Sequence, residues 1–284
     1  MGTNLLKAIT NIIANPSNDL VANYRSLSRA NSMGDALEFY IKDIFCGTLA
    51  EMDILKKEEV YAKVFSYLGN QNNPPDIMIR GGDAVEVKKH IGIRSGGLAL
   101  NSSYPKDFLY SDSPMITTAC RECEKWSKKD IIYAVGSIVD ERVKILWFVY
   151  GNCYAADRKT YEKIRSAISD GVNALPDIEF GTTNELGRVN KVDPLGITDL
   201  RIRGMWGIKH PAKVFDYLDD AENSDYAFRV NTIMLNDKYD SFPQEDKKSL
   251  EKLAGVNLSI KDIKIKSPNN PAKLLDAKLI RFIK

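Results

Sequence analysis

The chain has 284 residues, 44% hydrophobic and 27% charged, with 40 basic and 38 acidic side chains giving a net charge of +2. Such a chain can bury one large core or a core with an appended subdomain, and its near balance of charge excludes a protein coated in nucleic acid by net charge alone. The four cysteines Cys46, Cys120, Cys123 and Cys153 are too few for a disulfide framework, no signal peptide is read, and Asp140-Glu141-Arg142 interrupts the longest apolar run, Ile131 to Tyr150, so the expected setting is a reducing cytoplasm with no membrane span.

In chain order, Leu5 to Ala14 predicts a short amphipathic helix and Asn15 to Asp19 a polar linker. Asn31 to Phe45 predicts a second helix, with a polar start, an acidic first turn and apolar residues at 37, 40, 41, 44 and 45. Glu38 stands at the edge of that apolar stripe. It either pairs with Lys42 one turn on or points toward a site on a neighbouring sheet. A helix is expected over about Lys56 to Leu68, then a loop from Gly69 to Pro75 on turn chemistry.

Residues 76 to 88 read as a β-hairpin: Ile77 and Ile79 alternate with Asp76 and Met78, and Val85 and Val87 with Glu86 and Lys88. With Gly81, Gly82 and Asp83 as the loop, Arg80 faces Ala84, Met78 faces Glu86 and Asp76 faces Lys88. Asp76, Glu86 and Lys88 then share one face. Further on come a strand near Gly97 to Asn101, a helix from about Met115 to Trp126, a hairpin of Ile131–Val139 and Val143–Tyr150 turning at Asp140-Glu141, and a helix from Arg158 to Val172. From Leu175 the pattern mixes short strands, a helix near Ala212 to Leu218, and a polar, partly helical stretch from Asp237 to Asp262. The expected organisation is a core over residues 1–180 and a subdomain over 181–284 packed on it.

Pro75-Asp76 followed by Glu86-Val87-Lys88 supplies what metal-assisted phosphodiester hydrolysis requires. Two carboxylates can hold one or two Mg²⁺ ions that polarise the phosphate and activate water. An adjacent ammonium can orient the water and offset charge on the phosphate oxygens. The plain alternative is a hairpin charged on its outer face for solubility. Other chemistries lack their signatures: there is no Gly-x-Ser-x-Gly, P-loop or His-Glu-x-x-His, and Val85-Glu86-Val87-Lys88 has no kinase catalytic loop after it. Cys120-x-x-Cys123 has no second ligand pair for a zinc site.

The Pro-Asp and Glu-x-Lys pair after a Glu-bearing helix resembles the PD-(D/E)xK nuclease superfamily. Asn31 to Glu38, Lys63 to Lys89, Leu98 to Cys123 and Glu185 to Gly207 are similar to type II restriction endonucleases of the NgoPII type, over about residues 24 to 210. The resemblance implies an α/β restriction-endonuclease-like core with a mixed central β-sheet flanked by helices. It also implies a homodimer that cuts double-stranded DNA at the palindrome GGCC, with a cognate DNA methyltransferase as functional partner; residues 181–284, only partly covered by the resemblance, are expected to serve recognition and dimerisation. Asp76, Glu86 and Lys88 become the catalytic trio, and Mg²⁺ is bound by Asp76, Glu86, the Val87 carbonyl and, as a further candidate, Glu38. DNA contacts are expected from Lys89, from the loop Asn101, Ser102, Ser103, Tyr104 and Lys106, and from Arg201 and Arg203 on one face of a strand. A structure-selective or repair nuclease on the same core and a DNA-binding module with a vestigial site are the alternatives.

Overall fold

The computed structural model describes residues 2–20, 24, 33–70, 73–92, 96–101, 103–176, 178–218 and 226–284. Its first part carries helices α1 (Leu5–Ala14), α2 (Met33–Cys46) and α3 (Ile54–Val64), then strands β1 (Phe65–Asn70), β2 (Asn73–Ile79), β3 (Ala84–Ile91), β4 (Gly97–Asn101) and β5 (Phe108–Tyr110). Helix α4 (Thr118–Glu122) precedes β6 (Lys128–Val139) and β7 (Arg142–Tyr150), and α5 (Gly151–Tyr154) and α6 (Arg158–Asn173) follow. The remainder holds β8 (Gly187–Val189), β9 (Leu200–Ile202), β10 (Met205–Lys209), α7 (Pro211–Val214), β11 (Arg229–Leu235), α8 (Asn236–Ser241), α9 (Gln244–Glu251), β12 (Leu258–Lys266) and β13 (Leu274–Ile283).

One mixed sheet gathers nine of these strands, in the order β1-β2-β3-β6-β7-β11-β13-β12 with β5 added on β6. β3 runs parallel to β6 and β7 parallel to β11, and the other neighbours are antiparallel. β6 and β7 sit mid-sheet and are buried on both faces, which is why they read as continuous apolar runs. Helix α2 buries Leu37, Tyr40, Ile41, Ile44 and Phe45 on one face, where Phe45 meets Phe148 edge-on at 6.4 Å. On the other face Trp147 stacks on Phe215 at 6.3 Å and Tyr133 meets Tyr154 at 5.4 Å. The close approach of α2 depends on Gly136 of β6: a Cβ there would lie 2.8 and 2.9 Å from the two methyls of Leu37.

The expected hairpin of β6 and β7 is present, with Asp140 and Glu141 both at positive φ (48° and 63°) in its two-residue turn. Other boundaries differ from expectation. The helix expected to reach Leu68 stops at Val64, because the Arg80 guanidinium caps its end, donating to the carbonyls of Ala62 (3.1 Å), Lys63 (3.2 Å) and Phe65 (2.9 Å). Phe65 to Asn70, partly assigned to a loop, instead forms β1 against β2; Gln71 and Asn72 lie outside the described residues, as do Asn31 and Ser32 at the expected start of α2. The helix expected over Met115–Trp126 contracts to α4, opened by Thr117 accepting from the Cys120 N–H (3.1 Å) and closed by Trp126 Nε1 donating to the Cys120 carbonyl (3.3 Å). The partly helical stretch expected over Asp237–Asp262 holds α8 and α9 and passes into strand at Leu258, and β11, β13 and β12 continue the central sheet. β4 leaves that sheet to pair with β10 in a separate two-stranded ribbon.

Candidate active site

The hairpin of β2 and β3 has a register displaced from the one the sequence suggests. Ile79 N–H donates to the Asp83 carbonyl (3.0 Å) and Gly82 N–H to the Ile79 carbonyl (2.9 Å), so the loop is Arg80–Gly82, with Gly81 at φ 65°. Met78 pairs with Ala84 and Ile77 with Val85. Continuing the ladder sets Asp76 opposite Glu86, not Lys88. The shift follows from Arg80 being drawn to α3 while Asp83 is buried at the strand entry. There Asp83 accepts from Tyr150 Oη (2.7 Å) and from Lys238 Nζ (2.7 Å), which also reaches Asp130 (2.7 Å). Lys238 lies 155 residues away in the chain, so no local sequence signal announces it.

Asp76, Glu86 and Lys88 still share a face, since all three keep the same parity in either register. Val87 N–H donates to Asp76 Oδ2 at 2.6 Å, and Lys88 Nζ lies 2.6 Å from Glu86 Oε1. Glu86 is 8% exposed, and its Oε2 is buried without a hydrogen-bond partner among the described residues. Burial raises the pKa of Asp76 well above the ordinary aspartate value, the nearby Glu86 adds to this and Glu38 contributes, while Lys88 and the Val87 N–H oppose. Burial works against the Lys88 ammonium, but Glu86 and Asp76 outweigh it and hold its pKa above the ordinary lysine value. Lys88 is therefore a cation at neutral pH.

Register with β6 tells which side of the sheet this is. Glu86 lies beside Tyr133 and Lys89 beside Gly136, so the trio faces away from α2 while Lys89, exposed, points to the α2 side. Glu38 on α2 takes Lys42 as its ion-pair partner (2.7 Å), and its charge is felt by both Asp76 and Lys88. Among the described residues no three His, Cys, Asp or Glu side chains cluster at a metal-binding separation, so Glu38 does not join Asp76 and Glu86 in one.

The expected DNA loop after β4 lies on the trio's side, but deeper than expected. Ser103, Tyr104 and Lys106 are each about 6% exposed. Lys106 Nζ donates to Ser103 Oγ and to the Tyr104 carbonyl (3.2 Å), and its backbone N–H donates to Tyr133 Oη (2.7 Å). Burial pushes its pKa down to about 8; Glu86 opposes that shift and Lys88 adds to it. Apolar neighbours explain the depth: Tyr104 stacks on Tyr161 at 5.5 Å and meets Trp206 edge-on at 6.2 Å. Asn101 is the last residue of β4, and Ser102 lies outside the described residues. Arg201 lies in β9 and Arg203 just past its end at Ile202; both are half exposed and both contact Glu185. Among the described residues no helix is long and apolar enough to cross a membrane.

A large mixed sheet flanked by helices, with an acidic pair and a lysine on adjacent strands, is the architecture of the restriction-endonuclease-like class. The comparison with known proteins is more specific. The chain belongs to the NgoPII restriction endonuclease family, whose model matches residues 3–266. It is similar to the Type II restriction enzyme NgoPII of Neisseria gonorrhoeae, with 48% identity over 281 residues, 98% of this chain and 99% of that relative. No solved structure matches it.

Proposed function

We propose that the chain makes Mg²⁺-dependent double-strand breaks at a short palindrome, GGCC, as a homodimer whose two-fold axis matches that of its site. The observation that carries the site assignment is Glu86 Oε2, a buried carboxylate oxygen with no donor among the described residues. Leaving such a group unpaired is costly, and a hard cation relieves it. Carboxylate oxygens of Asp76 and Glu86 and the Val87 carbonyl suit Mg²⁺, which prefers oxygen ligands. When bound, the ion polarises the phosphate and lowers the pKa of the attacking water.

The protein's own groups do the rest. Lys88, kept protonated between two carboxylates, donates to the phosphate oxygens and offsets charge developing there. Tyr133 and Lys106 support the loop beneath the substrate. Asn101 and Ser102 hold the DNA backbone, while Arg201 and Arg203 read guanine O6 and N7. Residues 181–284 form the recognition and dimerisation part, and a cognate methyltransferase protects host sites. Incubating the protein with unmethylated phage DNA and Mg²⁺ and sequencing the fragment ends tests this. Discrete ends sharing GGCC are expected; scattered ends would indicate a structure-selective or repair nuclease, and binding without cutting a DNA-binding module.

A further inference from the structure

Arg201 and Arg203 converge on a single carboxylate. Two positions apart on an extended chain, they lie roughly 7 Å from each other on one face. Arg201 Nε donates to Glu185 Oε2 at 2.9 Å and its Nη2 to Oε1 at 2.8 Å, while Arg203 Nε donates to the same Oε1 at 2.5 Å. The arginine side chains are 54% and 53% exposed, but Glu185 is only 14% exposed. Its backbone is fixed from both sides: Glu185 N–H donates to Thr183 Oγ1 (3.1 Å), Arg165 of α6 holds the Asn184 carbonyl (2.5 Å), and Ser169 of α6 holds the Leu186 carbonyl (2.9 Å). A rigid acid thus anchors two long, outward-reaching bases.

We propose that Glu185 is a positioning residue for sequence readout, setting both guanidinium groups with a free donor edge toward the duplex. A guanidinium has five N–H donors. Arg201 spends its Nε–H and one Nη2–H side-on against Glu185, which leaves the Nη1/Nη2 edge, the fork that matches guanine O6 and N7. Among the described residues Arg203 spends only its Nε–H and keeps all four Nη hydrogens. The carboxylate also separates two like charges and freezes rotamers that would otherwise be ordered on binding. It leaves the three groups with one net positive charge, so phosphate attraction is reduced while base readout is preserved. Specific binding gains at the expense of random binding. The inference rests on the reading that Arg201 and Arg203 contact bases.

The test uses the full-length protein with Ca²⁺ in place of Mg²⁺. Binding to a duplex carrying the site defined by the protein's own cleavage is compared with binding to a scrambled duplex, for wild type, E185Q, R201A/R203A and the triple variant. E185Q is expected to weaken specific binding by about tenfold, within the range of one bidentate base contact, and to leave scrambled-duplex binding equal or tighter. In the R201A/R203A background E185Q should add nothing. A specificity ratio unchanged by E185Q but lowered by R201A/R203A would overturn the role of Glu185 and leave the arginine reading standing. A ratio unchanged in R201A/R203A would overturn the arginine reading and this inference with it. An equal loss from E185Q with and without the arginines would make Glu185 a merely structural residue of the hairpin. Should E185Q melt earlier than wild type, E185D, which keeps the charge but shortens its reach by one methylene, replaces it with the same expected loss of ratio.

Discussion

Replacing Lys106 by methionine probes the buried lysine beneath the site. Burial lowers its pKa from 10.5 to about 8. At about 1.4 kcal/mol per unit, the charged form costs the folded state about 3 kcal/mol at pH 7. Methionine removes that cost but deprives Ser103 Oγ and the Tyr104 carbonyl of their donor, a loss of about 1–3 kcal/mol. K106M is therefore expected to match or exceed wild-type stability by about 0–2 kcal/mol at pH 7. The dependence on pH is the sharper readout. Between pH 8 and 10.5 the unfolded lysine binds a proton that the folded one has released, so stability rises with pH through this window; the full cost applies below pH 8 and vanishes above 10.5. Wild type should gain about 2 kcal/mol on K106M's own pH dependence between about pH 7 and 9.5. Urea unfolding at fixed protein concentration measures both slopes. Parallel slopes would refute the burial argument. So would a K106M protein that bound random DNA more weakly, with a salt dependence reduced by about 0.9, because that is the signature of a lysine on phosphate.

Asp76→Ala or Lys88→Ala should abolish cleavage while leaving specific binding in Ca²⁺ largely intact; either variant cutting at the wild-type rate would remove that residue from the site. Gly136→Ala drives a methyl into Leu37 and should cost about 1–3 kcal/mol, read as a lower urea midpoint, with no loss expected if α2 can retreat freely. His210 is buried, its Nδ1 accepting the Ala212 N–H (3.1 Å) and its Nε2–H therefore donating to Ser137 Oγ (3.0 Å), and burial holds its pKa down at about 4 against the ordinary 6.5. The unfolded histidine binds a proton through that window, so stability falls as pH drops from 6.5 to 4, by up to about 1.4 kcal/mol per unit. His210→Gln should flatten this acid limb in unfolding titrations, and an unchanged limb would assign it to the carboxylates.

Much of this molecule is legible from local pattern. The α2 stripe, the β6–β7 hairpin with its Asp140-Glu141 turn, and the parity that keeps Asp76, Glu86 and Lys88 together all follow from periodicity. What was not legible depends on distant partners. Arg80 looks like a strand residue until α3's carbonyls draw it into the loop, and that one displacement resets the hairpin register. Ser103 to Lys106 looks like a polar surface loop until Tyr161, Trp206 and Tyr133 close over it. Glu185 gave only a faint signal, an acid 16 and 18 positions before two arginines.

The place of β11 in the sheet bears on how the molecule assembles. β7 receives its outer neighbour only from residues 229–235, and the strand-entry carboxylate Asp83 is gripped by Lys238 just beyond. A chain interrupted before that point carries the complete Asp-Glu-Lys trio, yet presents β7 as a bare apolar edge and leaves the hairpin's footing unsecured. Parallel pairing across so long a crossover is slow to close. The order of synthesis therefore places the proposed cutting residues early and their stiffening late, so that a half-made chain is a poorer nuclease than those residues alone would suggest.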